Sequence, residues 1–227
     1  MRLADGELVL TLKQDHSQVP AAQDAVAPIL EAWQAMADLQ YTPGEFRFKF
    51  DRPEFAFRHP PPAGVGVAVG YIPAANATFN AVGTSLPPPR RTYPDPPIGF
   101  VLSPDAQVMH DRIVGSMLGR EPIASMAYFC LTVAELLAPK TVQGRKVNRR
   151  SAAAAALAVE SAVLNMIGEL TGEHGAAFGR KAAAKKPLTD AHQRWLMEAT
   201  RALFIRVGAH ASGLQLPHLT MADLPQI

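Results

Sequence analysis

Prolines divide this chain. Pro60-Pro61-Pro62, Pro87-Pro88-Pro89, Pro94, Pro96 and Pro97 crowd into one short region. Proline fixes φ and has no N–H to donate, so neither a regular helix nor a central strand crosses such runs. The proline runs read as surface wrapping or as a link between two folded parts. Between them lies GVGVAVGYIPAANATFNAVGT, where Val65, Val67 and Val69 alternate with small residues and suggest one or two strands. The expected organisation is an N-terminal α+β part over 1–59 and a Pro/Gly-rich seam over 60–102. A helical domain over 103–211 and an irregular tail over 212–227 follow.

Before the seam, ELVLTLK at 7–13 has the character of a short strand. Pro20 opens a helical stretch to about Gln40, with Val26, Ile29, Leu30, Trp33, Met36 and Ala37 spaced by three and four. Pro28 lies near its start, where a missing N–H costs least. Phe46, Phe48 and Phe50 alternate with Arg47 and Lys49, the clearest period-two signal in the chain. Pro53 interrupts it, and Phe55 and Phe57 form a second strand or continue along an edge.

After the seam the pattern is helical. Ser103-Pro104-Asp105 combines a capping hydroxyl, a first-turn proline and an acid at the positive end of the helix dipole. That helix runs to about Leu118 and stops at Gly119. The next spans 121–138, and Ile123, Met126, Phe129, Cys130, Val133, Leu136 and Leu137 cover most of its circumference. A helix this apolar is central in its bundle or buried at a dimer interface. A third is expected over about Ser151 to Leu170, with Val159, Val163, Met166 and Leu170 as its stripe and Leu157, Leu164 and Ile167 widening it. Thr189 caps the last long helix, where Trp195, Leu196, Ala199, Leu203 and Val207 point inward. The expected fold class is therefore α+β, with two to four N-terminal strands and a C-terminal bundle of about four helices.

With 227 residues, 48% of them hydrophobic and 19% charged, the chain has material for one large core or two small ones. Its one cysteine, Cys130, excludes an intramolecular disulfide and suits a reducing cytoplasm. The opening MRLADGELVL, with Asp5 and Glu7, does not read as a signal peptide. No apolar run approaches the roughly 20 residues of a bilayer span, so no membrane role is expected.

Residues 101–227 hold 14 Lys+Arg against 10 Asp+Glu, and nine of those cations form two clusters. One is Lys140, Arg145, Lys146, Arg149 and Arg150; the other is Arg180, Lys181, Lys185 and Lys186. They flank the expected third helix. Cations at a helix N-terminus oppose the dipole by roughly 0.3–1 kcal/mol each when exposed. Four of them there suggest an anion site, because helix amides already favour a phosphate. Arg145, Lys146, Arg149, Arg150, Arg180 and Lys181 are the candidate anion-binding residues. The competing reading is a solvated loop whose long side chains point into water. Neither cluster holds an aromatic residue, which argues against stacking-based single-strand recognition.

Other signals are weaker. The run from Gly64 to Gly70 superficially matches a dinucleotide loop, but its spacing is G-x-G-x-x-x-G and no helix follows. No cofactor is expected. Glu169, Glu173 and His174 cluster near a helix end, but no second Glu-x-x-His exists, and no metal is expected. Cys130 lacks a basic neighbour in sequence and reads as a buried structural thiol. No G-x-S-x-G, H-E-x-x-H or P-loop is present.

The stretch MAYFCLTVAELLA and the later amphipathic helices, over about 105–211, loosely resemble HEPN domains. Those are helical nucleotide-binding and RNase modules of bacterial defence systems, so the resemblance implies a helical bundle. The family's Arg-x(4–6)-His motif is not met. Arg206 and His210 have three residues between them, and Arg52 and His59 have the right gap but lie in the strand region across Pro53. The resemblance assigns no catalytic residue.

The expected function is a non-enzymatic interaction or regulatory protein whose helix 121–138 mediates homo-oligomerisation or binds a protein partner. A first alternative is nucleic-acid or phosphate-ligand binding through 140–150 and 180–186. A second is an enzyme whose site lies at the seam, with Arg90 and Arg91 among its lining residues.

Overall fold

The computed structural model describes residues 2–4, 7–12, 18–45, 47–55, 75–81, 99–138, 141–142, 145–146, 148–173 and 187–227. The candidate strand at Val65–Val69, Phe57, Arg90, Arg91, Lys140, His174 and the whole 180–186 cluster lie outside the described residues. The chain divides into two units, Met1–Pro96 and Pro97–Ile227.

In the first unit, strands β1 (Arg2–Ala4) and β2 (Glu7–Thr11) precede helix α1 (Val19–Gln40). Strands β3 (Phe48–Phe55) and β4 (Ala75–Ala81) follow. All pairings are antiparallel, in the order β1-β2-β4-β3. Pro53 lies in β3, at the sheet edge, where a missing donor is tolerated. A register shift separates Phe50 from Arg52.

Helix α1 buries Ala22, Val26, Leu30, Trp33 and Ala37, a stripe at helical spacing. Leu10, Val26, Leu30 and Trp33 form the core of this unit, with Leu12 and Phe48 against it. The Trp33 and Phe48 rings are tilted, with centroids 5.1 Å apart. Ile29, expected on the apolar stripe, is half exposed. Pro28 lies inside the helix rather than in its first turn. It sits on the solvent side, where water can satisfy the carbonyl it leaves unpaired. The buried Asp38 carboxylate accepts from Gly44 N at 2.8 Å and from Arg47 Nη1 at 3.2 Å, which fixes the turn leaving α1.

In the second unit, α2 (Pro104–Met117) and α3 (Ile123–Leu137) come first, then the short strands β5 (Thr141–Val142) and β6 (Arg145–Lys146). Helices α4 (Arg149–Ala156), α5 (Ser161–Glu173) and α6 (Asp190–Ala211) follow. Ser103 Oγ accepts from Ala106 N and caps α2, and Gly119, at φ +68°, ends it. Thr189 caps α6 in a reciprocal pair with His192. Helix α3 packs against α2, α4, α5 and α6, so it is the central helix of this unit. In α6, Trp195, Leu196, Ala199, Leu203, Phe204 and Val207 are fully buried.

The expected α+β class, with its bundle of about four helices, is overturned by the helix content, although four N-terminal strands are present. Among the described residues the structure is mostly helical, with six helices of 8 to 22 residues. One of the two longest, α1, is the helix expected from Pro20 to about Gln40, and it outweighs the short strands around it. The phenylalanine alternation spans too few residues to set the class of the whole chain.

A second correction concerns the single helix expected over about Ser151 to Leu170. It is two helices, broken between Ala156 and Ser161. Ala158 takes φ +51°, the one positive φ outside glycine among the described residues. Val159 N donates to Ala154 O and Ala158 N to Ala155 O, the two bonds of a Schellman termination. The residues expected to form an irregular tail reach this break. Leu219 bridges Val159 in parallel, Leu219 N donates to Ala158 O, and Glu160 N donates to Leu219 O. Leu219 and Leu224 are buried there.

Candidate functional site

The first basic cluster surrounds the start of α4. Strand β6 carries Arg145 and Lys146, whose side chains lie outside the described residues, as do Arg180 and Lys181 entirely. Asn148 is the N-cap, and its Oδ1 accepts from Arg150 N at 3.0 Å and Ser151 N at 3.3 Å. Two of the amides that would hold a phosphate are therefore already engaged. Arg149 is exposed.

Arg150 points the other way. Its Nε donates to Glu135 Oε1 of α3 at 2.9 Å, and its Nη1 reaches Asn165 Oδ1 of α5 at 3.5 Å. The guanidinium lies against Gly168, where a Cβ would come within 2.7 Å of Nη1. Arg150 thus braces three helices, and its charge is paired within the protein. The signal that could have found this pair was Glu135, the one charged residue of α3, which needs a cationic or hydrogen-bonding partner.

Arg206, on α6, was not singled out from the sequence for what it does here. Its Nη2 donates to Pro217 O at 2.7 Å and its Nε to Ala158 O at 3.4 Å. Burial lowers its pKa, and the nearby Asp223 carboxylate opposes that shift. Arg206 and His210 line a cavity of about 50 Å³ beside Ala158. That is far below the ~300 Å³ of an ordinary small-molecule site. An open groove of about 440 Å³ lies on the other side of the break, lined by Ser151, Glu160, Ser161 and His218 among others.

Cys130 is buried in α3, with Sγ 3.8 Å from Met126 Sδ. Burial, then the Glu121 carboxylate, pushes its thiol up to about 12, which suits a packing residue and not a nucleophile. Among the described residues no group of three or more His, Cys, Asp or Glu side chains could hold a metal ion. None of their helices is long and apolar enough to cross a membrane.

Helix α3 leaves one face open. Tyr128 is 46% exposed and Leu136 is 61% exposed, although Met126, Ala127, Cys130, Leu131 and Ala134 are fully buried. Tyr128, Thr132 and Leu136 are four apart and share that face. Thr132 Oγ1 donates to Tyr128 O, so its polar atom is turned inward along the helix. The sequence pattern had assigned Leu136 to the buried circumference.

No protein-family model matches the chain, and no curated protein or solved structure matches it.

Proposed function

We propose that this is an interaction protein whose second unit self-associates through the open face of α3. The observation that supports it is the exposed pair Tyr128 and Leu136 on the central helix of the unit. An apolar ridge of this kind is self-complementary: a two-fold axis near Thr132 sets Tyr128 of one copy beside Leu136 of the next. An aromatic and a leucine flanking a small residue suit a helix–helix seam.

The phosphate reading has less support. It rests on free helix amides and free cations at 140–150, and on the cluster at 180–186, which lies outside the described residues. Asn148 caps those amides and Arg150 is paired with Glu135.

The test is a cross-link. Thr132→Cys, oxidised without reductant, is expected to give a covalent dimer. Arg194→Cys, exposed on α6, serves as the control and is expected to stay monomeric. Buried Cys130 takes no part. Equal cross-linking at both positions, or none at Thr132→Cys, would count against the α3 face.

A further inference from the structure

The segment from Arg149 to Glu173 contains neither proline nor a glycine near its break, and five alanines lead into that break. By local preference it is one helix. The chain instead places Ala158 in the left-handed region, which a side chain disfavours. The compensation comes from a part of the chain sixty residues further on. Leu219 exchanges two backbone hydrogen bonds with the break, through Ala158 O and Glu160 N. Arg206 ties Ala158 O to Pro217 O. Glu160 Oε2 accepts from Met221 N at 2.9 Å, and Leu219 and Leu224 bury their side chains.

The two arrangements of 149–173 differ in one decisive contact. In the structure α4 folds back so that Arg150 reaches Asn165 and touches Gly168. In a continuous helix the Cα atoms of residues 150 and 165 would be about 22 Å apart, beyond the reach of any arginine. A straight helix keeps its apolar face in phase. Ala153, Leu157, Leu164 and Ile167 recur at spacings of four, seven and three, and all are buried now. Glu160 is the residue on that stripe that does not suit burial, and in the folded-back state its carboxylate and N–H both serve the docked segment.

We infer that residues 216–224 are a releasable strap: docked, they hold 149–173 as two folded-back helices, and released, they let it straighten and unlatch Arg150 from Glu135 and Asn165. The strap supplies interactions to one state and none to the other, which is the condition for biasing a two-state element. The inference does not depend on self-association through α3.

Spin labels at Ser151→Cys and Glu169→Cys, both exposed positions, read the state directly. Straightening separates those Cα atoms by about 27 Å. The otherwise native chain is expected to show one short separation. Leu219→Asp is expected to add a population at the long separation, and Ala158→Gly in that background to shift it back towards the short one. Cys130 reports the fold, because it accepts label only if the core opens. Should Leu219→Asp make Cys130 reactive, Leu219→Ala replaces it and the same outcomes decide. A single short separation in a strap variant whose Cys130 stays unreactive would overturn the inference.

Discussion

The guanidinium of Arg150 occupies the space into which a Cβ on Gly168 would project, with Nη1 2.7 Å from that position. Glycine in mid-helix costs about 1 kcal/mol relative to alanine, so its presence in α5 is explained by the brace that it admits. Gly168→Ala must displace Arg150 and weaken its partly buried pairing with Glu135, worth about 1 kcal/mol at most. The two effects are expected to cancel nearly in the wild-type chain. In an Arg150→Ala background the same change is expected to stabilise by about 1 kcal/mol. Urea denaturation of the four chains in this double-mutant cycle measures the coupling, and strict additivity would show that the two residues do not interact.

Gly208 answers to a different neighbour. The Phe100 ring lies so close that a Cβ on Gly208 would overlap its Cε2 atom. That ring also packs on Phe204 at 5.1 Å, and Val101 N donates to Gly208 O. Gly208→Ala is therefore expected to destabilise by about 1–3 kcal/mol, the usual cost of overpacking. Phe100→Ala removes the clash, and in that background Gly208→Ala is expected to regain most of its loss. Thermal unfolding of the single and double variants checks this.

Cys130 sets an alkaline signature. Its folded pKa is raised from 9.0 to about 12, with burial as the main cause. The folded state thus holds the thiol proton more tightly than the unfolded chain does. The stabilisation from this residue is complete below about pH 9 and is lost as pH rises towards 12. Urea midpoints of Cys130→Ala and wild type, compared from pH 7 to 11, are expected to converge above pH 9. Parallel curves would show that the thiol does not titrate differently on folding.

What was legible in the sequence was what neighbours within a few residues decide. The Ser103 and Thr189 caps and the stop at Gly119 are local hydrogen-bonding and φ preferences, and they sit where the pattern puts them. The inward face of α6 follows from 3.6-residue spacing alone. The break at Ala158 carries no such signal, because alanine favours helix and the strap that holds the break begins almost sixty residues later. Arg150 looked like a ligand cation because its charge neighbours in sequence are cations, while its partner Glu135 lies fifteen residues earlier on another helix. The fold class is hard to weigh from sequence because short alternating runs such as Phe46, Phe48 and Phe50 count as elements beside long helices while contributing few residues. Leu136 was placed inside because hydropathy counts apolar residues and not the neighbours available to cover them.

That uncovered leucine is the centre of the functional proposal, and sedimentation equilibrium tests it most directly. The 24.4 kDa chain is expected to show a weight-average mass that rises with concentration towards that of a dimer. Leu136→Glu, which places a charge on the exposed face without touching the core, is expected to hold the mass at 24.4 kDa throughout. A wild-type chain that stays at the monomer mass at every concentration, or a Leu136→Glu chain that associates as well as wild type, would contradict the proposal.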